Sequence, residues 1–482
     1  MYFLYNMKTV IKVQPKKIYW IFIYPLTTVA FILLSVLFIL SARGYNIHFE
    51  NGRPEFKKTG MFIVSSKPAG VDVLLDGKHV SRKTNGLFST KITRLSQGKY
   101  TLSLEKEGFY SWTKELEIYP EMVTWANYVL LFSKNPDVEK INLEGSLVQR
   151  FSSADRKADL ILTKSPTGEL LYRVSNDSGE IAVVLETDKL GADKKVSGIR
   201  ILDWSKDRRN ILISAVLAGE TKYWNVNADS HNVEDLSVLS PVKYDKLMFN
   251  TGNSDELYGL FQGNLRRINL KTREVTGILE KNIGYFTFSL DGKIYYIQNK
   301  GKARALYSAN GDLFGKTEIS DNLPVSESYE IKVSDKEQKV ALKVKEDLTL
   351  YVVAKVNEKN SLISMGKNVS EFLWSPEGDK LFYKKEKMPI VFEDKEYKKE
   401  SKEYRFTESD NFKNITWYDN YHLLAEENGK VKVIDFDGTN EVILGSSLKD
   451  TGVFYNPDHG NIYFFSGADK DKTILSKYKT GF

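Results

Sequence analysis

The 482-residue chain contains no cysteine and only five histidines. Without cysteine it can form no disulfide, thiolate metal site or cysteine nucleophile, so its folded parts must be stabilised by their cores alone. The histidines are scattered, and no two have the close spacing that a metal site on one helix or hairpin requires. We expect each of them to be a surface or packing residue: His48, His79, His231, His422 and His459. No metal or other cofactor is predicted.

Motifs of catalysis are also missing. No G-x-S-x-G, P-loop or H-E-x-x-H pattern occurs, and no catalytic residue is predicted. Residues 434–441, which contain Asp435 and Asp437, and residues 468–472 each hold two aspartates but lack the spacing of a calcium loop, so hairpin turns are predicted for both. The charge-dense segment 392–410 is predicted to be an exposed hairpin or loop, with a protein-docking element as the alternative.

The excess of positive charge is small. Of the formal net charge of +6, Lys8, Lys12, Lys16 and Lys17 contribute four before any acidic residue appears, which leaves +2 for the rest of the chain. Lysine and acidic residues are interleaved there, whereas nucleic-acid-binding proteins concentrate positive charge on one face. We therefore expect no nucleic-acid partner.

What the chain does contain favours β-structure. Its length exceeds that of one average domain, and 41% hydrophobic residues are enough for two or more packed cores. The 27 tyrosines and 26 phenylalanines stand among many Lys, Thr, Val and Ile residues, a mixture typical of strands. The predicted fold class is therefore mainly β.

One long apolar segment stands near the N-terminus. Residues 18–42 carry no charge, and a helix of this length, about 37 Å, exceeds the roughly 30 Å hydrocarbon core of a bilayer. A cleaved signal peptide would have a shorter apolar region, and Leu40-Ser41-Ala42 is a poor cleavage site. An uncleaved anchor in the lipid bilayer is therefore predicted, with residues 1–17 in the cytoplasm, because the lysines precede the span and only Arg43 follows it.

A connector, residues 43–59, leads to a small unit predicted at residues 60–133. This unit is predicted to be antiparallel, with short strands separated by turn residues. Four ordered elements resemble the pattern of the PEGA domain family: Ser66-Lys67-Pro68-Ala69-Gly70-Val71, Asp76-Gly77, Leu95-Ser96-Gln97-Gly98-Lys99-Tyr100-Thr101-Leu102 and Gly108-Phe109. The family's Gly-x-Thr-Pro is replaced by Lys83-Thr84-Asn85-Gly86. The resemblance implies an extracytoplasmic β-module without catalysis. Phe109, Tyr110 and Trp112 could stack on a sugar, but their alternation favours core packing.

The rest of the chain, residues 134–482, repeats one pattern: an apolar anchor, a polar turn and an alternating strand. The eight anchors are 38 to 53 residues apart: Phe151, Trp204, Phe249, Phe288, Val333, Trp374, Trp417 and Tyr455. This period is typical of four-stranded propeller blades. The anchors, above all Trp374-Ser375-Pro376-Glu377-Gly378-Asp379, resemble the WD40-like or TolB-type repeat, in which the turn joins the first two strands of a blade. A propeller of eight blades is predicted, with seven as the alternative, and residues 139–145 are predicted to supply a strand to the last blade.

Three functional hypotheses follow. The first is a membrane-anchored, extracytoplasmic binding or scaffolding protein of the bacterial cell envelope, not an enzyme, whose propeller recognises proteins or glycans. The alternative is an envelope hydrolase or lyase with its site at the mouth of the propeller channel. A receptor is a third possibility, but a cytoplasmic part of about seventeen residues leaves no room for a signalling domain. The sequence names no ligand-binding residue.

Overall fold

The fold is described from a computed structural model of the chain. It covers residues 15–42, 44–50, 53–80, 82–86, 88–176, 178–190, 196–336, 339–356, 359–395, 400–456, 460–469 and 472–481. The predicted tail before residue 15, Arg43 and His459 lie outside these residues, as do residues 396–399 and 470–471 of the two polar segments. The chain divides into two compact units, Met1–Leu131 and Phe132–Phe482.

The first unit begins with helix α1, Pro15–Ala42. Its part from Phe22 to Ala42 is long and apolar enough to cross a membrane, and none of it is buried. Large apolar side chains on all sides of one helix are unfavourable in water, because about 25 cal/mol is gained for each Å² removed from it. This helix is consistent with a single-pass membrane anchor or a signal sequence.

In the described part of the first unit, eight strands follow the helix: β1 Tyr45–Glu50, β2 Arg53–Lys67, β3 Asp72–Leu75, β4 Lys78–His79, β5 Thr90–Ser96, β6 Gly98–Glu105, β7 Trp112–Ile118 and β8 Val123–Leu130. They form two sheets, one of β1, β2, β5 and β8 and one in the order β4-β3-β6-β7. The buried residues between these sheets form one core, which includes Phe62, Leu102 and Trp112.

Two features of this unit differ from the sequence prediction. The expected connector, residues 43–59, is largely paired, because β1 and the first half of β2 form an antiparallel hairpin. The sequence has an Asn-Gly pair between these two segments, which is a hairpin signal. The second difference is the parallel pairing of β8 with β2, in a unit that we expected to be antiparallel throughout. The chain crosses from β7 in one sheet to β8 in the other, and such a crossover permits parallel strands.

The described residues of the second unit form eight four-stranded antiparallel sheets, numbered here in chain order. Sheet 1 comprises β10 Ser146–Ser152, β11 Ala158–Lys164, β12 Glu169–Ser175 and β13 Ile181–Glu186; sheet 2 comprises β14 Val196–Trp204, β15 Asn210–Leu217, β16 Glu220–Asn227 and β17 Val233–Asp235; sheet 3 comprises β18 Lys246–Asn250, β19 Asn253–Phe261, β20 Asn264–Asn269 and β21 Glu274–Val275. Sheet 4 comprises β22 Ile283–Phe288, β23 Ile294–Lys300, β24 Ala303–Ala309 and β25 Thr317–Ser320; sheet 5 comprises β26 Tyr329–Val333, β27 Val340–Val344, β28 Leu350–Val356 and β29 Lys359–Gly366. Sheet 6 comprises β30 Val369–Trp374, β31 Lys380–Lys385, β32 Met388–Lys395 and β33 Glu400–Arg405; sheet 7 comprises β34 Phe412–Trp417, β35 His422–Glu427, β36 Lys430–Asp435 and β37 Val442–Ser446. A 3-10 turn, Thr187–Leu190, follows sheet 1.

Sheet 8 consists of β38 Val453–Tyr455, β39 Ile462–Asp469, β40 Lys472–Lys479 and β9 Asp137–Glu144. The outer strand β9 comes from the beginning of the unit and pairs antiparallel with β40 over its whole length. This is the pairing predicted for residues 139–145, and it joins the two ends of the unit. The edge that β40 would otherwise expose is thereby covered.

Each predicted anchor lies in the first strand of its sheet, at or next to the end, so the repeat marks the sheets as predicted. The second strands are buried almost continuously, as in β11, β15, β27, β31 and β35. A strand that packs against a neighbouring sheet on both faces is expected to show this pattern rather than alternation. Trp374 packs in a cluster shared by sheets 5 and 6, and its indole donates to Lys332 O at 3.0 Å.

The polar segments considered as calcium or docking sites are hairpins. Asp435 ends β36, and a tight turn returns the chain to β37: Gly438 N donates to Asp435 O at 2.9 Å. Strands β32 and β33 form the antiparallel hairpin predicted for residues 392–410. In the described part of residues 468–472, β39 pairs with β40 across another hairpin.

Candidate binding site at the channel mouth

The first strands of the eight sheets line the centre of the ring, and several neighbouring pairs contact each other directly, such as β14 with β18 and β22 with β26. Every sheet repeats the same strand order, so the turns between first and second strands lie on one face of the ring. We call this the turn face. Loops at the end of a rigid β-scaffold are a common location of binding residues.

The wall of the channel is held by bonds from a side chain of one first strand to the main chain of the next. Four side chains, which we call the channel collar, do this: Gln149 bonds both N and O of Ile201 at 2.9 Å, Asp203 accepts from Phe249 N at 2.7 Å, Lys246 donates to Phe286 O at 2.7 Å, and Lys332 donates to Phe372 O at 2.8 Å. They bond main-chain groups of buried residues on the first strand of the neighbouring sheet, and buried main-chain groups require such partners. The collar therefore fixes the positions of neighbouring sheets.

Two collar residues have strongly shifted pKa values. Burial raises the pKa of Asp203 to about 6, although the N–H groups of Phe249 and Trp204 donate to its carboxylate. Burial likewise lowers the pKa of Lys246 to about 8, against the attraction of Asp203. Such shifts occur at active sites and in structural networks alike. Because both side chains bond the main chain of a neighbouring sheet, we interpret them as structural.

Arg156 crosses the channel mouth on the turn face. It lies in the turn after β10, and its Nη1 donates to Trp417 O at 3.1 Å and to the Tyr455 hydroxyl at 2.6 Å. The guanidinium group also lies over the Tyr455 ring, 5.8 Å from its centroid. Sheets 1, 7 and 8 are thus joined at the mouth by one cation, whose remaining N–H groups are donors in a fixed geometry.

A pocket of about 270 Å³ opens beside Arg156, lined by Thr287, Phe288, Ile331, Lys332, Val333, Asp335 and Trp374. Burial raises the pKa of the Asp335 carboxyl, and the charge of Arg156 partly opposes that shift. Within the described residues Asp335 has no hydrogen bond or ion pair. The pocket therefore presents the Asp335 carboxyl, the Arg156 guanidinium and the Trp374 indole within one small concave surface.

The buried histidine does not belong to this pocket. His422 begins β35 and is only 2% exposed; its Nδ1 lies 2.8 Å from Asp419, and its Nε2 lies 3.4 Å from Asp435. Lys380 has the same place in sheet 6, between Asp379 at 2.6 Å and Glu393 at 3.8 Å. Because the same arrangement occurs at the start of the second strand in both sheet 6 and sheet 7, we interpret it as part of the blade structure. Among the described residues, no group of three or more acidic or histidine side chains could hold a metal ion.

The residues that form the channel mouth were not identified from the sequence. Arg156 and Tyr455 are 299 positions apart, and the pattern of the turns does not distinguish Asp335 from other turn aspartates. Only the predicted ring closure could have brought the first and last repeats together.

In the small unit, the turn that resembles a family motif is closed by Thr84. Its hydroxyl bonds Ser66 Oγ at 2.8 Å and accepts from Val71 N at 2.9 Å, and Thr84 N donates to Val71 O at 2.9 Å. Asp76 accepts from Thr101 N at 2.8 Å in the next motif. Hydrogen bonds therefore join the first motif to residues 83–86 and the second motif to the third. Residues 59–132 match the PEGA domain family.

The three aromatic residues of the PEGA domain that were considered for sugar stacking, Phe109, Tyr110 and Trp112, do not form one exposed surface. Trp112 is 2% exposed and packs edge-on against Tyr128. Phe109 packs against the same core, and only Tyr110 is exposed, at 40%. The prediction that these residues serve packing is confirmed for Trp112 and Phe109.

Several solved structures share the propeller fold. The Dos1 propeller is 13% identical, with a TM-score of 0.44, over 72% of this chain and 96% of that one. TolB from Acinetobacter baumannii is 13% identical, with a TM-score of 0.32, over 56% and 60%. An oligogalacturonate lyase in complex with manganese is 11% identical, with a TM-score of 0.40, over 70% and 98%. At these identities the similarity concerns the fold alone. No curated protein sequence matches this chain.

Proposed function

We propose that this chain is a membrane-anchored, extracytoplasmic binding or scaffolding protein of the bacterial cell envelope. In this proposal α1 is the anchor, the tail before it is cytoplasmic, and the PEGA domain and the propeller lie outside the membrane. The lysines that precede the apolar span, residues 18–42, support this orientation. The partners are envelope proteins or glycans, and nucleic acid is not among them.

The observation that carries the proposal is the pocket between Arg156, Asp335 and Trp374 on the turn face. A ligand with both a hydrogen-bond donor and an acceptor could satisfy the carboxylate and the guanidinium together, while its apolar part contacts the indole. The volume is below the usual range for drug-sized ligands. It suits one amino-acid side chain or one sugar ring of a larger partner that rests on the turn face.

Catalysis is not part of the proposal. A nucleophile or a general acid must reach the substrate, but His422 is 2% exposed and held between two aspartates. Asp203 and Lys246, the two collar residues with shifted pKa values, already form hydrogen bonds to the main chain of neighbouring sheets. No observation in the described residues favours the hydrolase or lyase alternative.

Site-specific photocrosslinking in intact cells tests the proposal. A photoreactive amino acid replaces Thr287, which lines the pocket, or Thr317, an exposed residue on the outer strand of the same sheet. We expect Thr287 to capture a discrete protein or glycan and Thr317 to capture none. Recovery of nothing but bulk lipid at Thr287, or equal capture at both positions, would count against binding at the turn face.

A second variant separates binding from stability. Asp335→Asn keeps the size of the side chain but removes its charge, and Asp335 makes no bond to the described residues, so the thermal unfolding of the protein should not change. Capture through Thr287 should nevertheless fall several-fold. Undiminished capture would show that the Asp335 carboxylate does not contact the partner.

A further inference from the structure

The PEGA domain exposes a group of large apolar side chains at the start of β8. Tyr119 is 41% exposed, Met122 46%, Val123 37% and Trp125 55%. We call these four residues the apolar patch. Large contiguous apolar surfaces on soluble domains mark interaction sites, and Trp and Tyr prefer the membrane–water interface because their rings are amphipathic.

Hydrogen bonds place this patch close to the end of α1. Gly44 N donates to Ser41 O at 3.0 Å, so the chain leaves the helix without a spacer, and Thr59 N donates to Gly44 O at 2.8 Å. Glu121, inside the loop that carries Tyr119 and Met122, donates its N–H to Thr59 O at 3.0 Å. Adjacent strands lie about 4.8 Å apart, so two such steps keep the loop within about 10 Å of Gly44.

The polarity of the same sheet face changes with distance from α1. Near the loop, the apolar residues of β8 pair with Met61 and Ile63 of β2. Farther along the two strands the face becomes polar, at Ser65 and Asn127, where the serine hydroxyl donates to Asn127 O at 3.3 Å. The part of this face formed by β2 and β8 is thus apolar beside the end of α1 and polar farther away, which matches the gradient from the lipid interface to water.

We propose that the apolar patch inserts into the interfacial layer of the membrane in which α1 is anchored and holds the PEGA domain against the lipid surface. This inference rests on the proposed function, because it requires α1 to span a bilayer. We expect the contact to be mainly apolar: Lys58, on the strand beside the loop, is paired with Glu121 at 3.1 Å, Tyr119 donates its hydroxyl to Glu117 at 2.8 Å, and the exposed Lys91 lies opposite Ile63 on β5. A lipid surface fits better than a protein partner because the patch lies beside the end of the apolar span.

The absence of native cysteine makes a direct test simple. The full-length variant Met122→Cys, labelled with an environment-sensitive fluorophore, is reconstituted into neutral phosphatidylcholine vesicles that contain lipids with a nitroxide on the headgroup. The matched control is Glu107→Cys, at an exposed position in the turn that connects β6 and β7. A third variant, Val36→Cys inside α1, reports insertion of the anchor through quenching by a nitroxide deep in the acyl chains.

We expect several-fold stronger quenching by the headgroup nitroxide at position 122 than at position 107, and protection of position 122 from aqueous iodide. The quenching should persist near 1 M salt, where the Debye length is about 3 Å. Loss of the contact in high salt, access of iodide at position 122, or protection from iodide without nitroxide quenching would each overturn the proposal; the last result would indicate that another part of this chain or a second copy covers the patch. If position 36 is quenched and position 122 is not, only this inference fails; if position 36 is not quenched, the anchor itself is wrong.

Discussion

Replacing Leu143 by alanine should weaken the closure of the ring. Leu143 lies on β9, is 2% exposed, and packs with Ile161, Phe465 and Leu475 in the cluster between sheets 8 and 1. Its strand is far from the rest of sheet 8 in the sequence but pairs with β40 over its whole length. Loss of packing at this position therefore acts where the two ends of the unit meet.

The magnitude follows from burial. Truncation of a buried leucine to alanine costs about 2–5 kcal/mol in lost transfer energy and cavity formation. We take about 3 kcal/mol, because the neighbouring sheets restrict collapse of the cavity. For a unit of roughly 350 residues, an unfolding entropy of about 2.1 cal/mol/K per residue converts this loss into a decrease of about 4 °C in Tm.

Val138→Ala is the matched control, because Val138 lies on the same strand but is 37% exposed; it should change Tm by less than about 1 °C. Calorimetry of both full-length variants gives the comparison, and hydrogen exchange should show faster opening of β40 in Leu143→Ala alone. Equal stability of the two variants, or unchanged exchange in β40, would refute the role of β9 in closing the ring.

Three further predictions concern individual contacts. Trp374→Ala should destabilise the propeller by about 3–5 kcal/mol in denaturant titrations, whereas Trp125→Ala, at a 55% exposed position, should cost far less. The free energy of unfolding should fall as pH rises from about 4 to 6, because the raised pKa of Asp203 keeps a proton on the folded protein that the unfolded chain has lost. The variant Asp203→Asn should flatten this slope. The control variant Asp321→Asn, at an exposed position, should leave the slope unchanged. Thr84→Val, which leaves a buried N–H without its acceptor, should destabilise the PEGA domain by about 1–3 kcal/mol.

The sequence carries the repeat because packing imposes the same demand on every sheet. An apolar residue at or near the end of each first strand, as at Trp374, must fill the space between neighbouring sheets, and the turn after it needs Gly378, whose φ is +82°. The strand around Leu143 could also be predicted, because a closed ring needs a partner for its last edge. These features depend on local pattern and on strand geometry.

The collar and the channel mouth could not be predicted in this way. Gln149, Asp203 and Lys246 perform the same task with different chemistry, so no shared motif marks them. Arg156 meets Tyr455 only because the ring closes. The extent of β2 was missed for a related reason, since the polar residues before Gly60 gave no core pattern and their pairing with β1 depends on the hairpin.

The propeller must lie on the extracytoplasmic side of the membrane if it is to bind envelope partners, and one labelling experiment tests this. Lys336→Cys places the only thiol on the turn face, and Asn6→Cys places it in the N-terminal tail. In intact protoplasts, a membrane-impermeant maleimide should label position 336 as completely as it does after lysis, and position 6 only after lysis. Labelling of position 336 only after lysis would contradict the proposed topology and the binding function that depends on it.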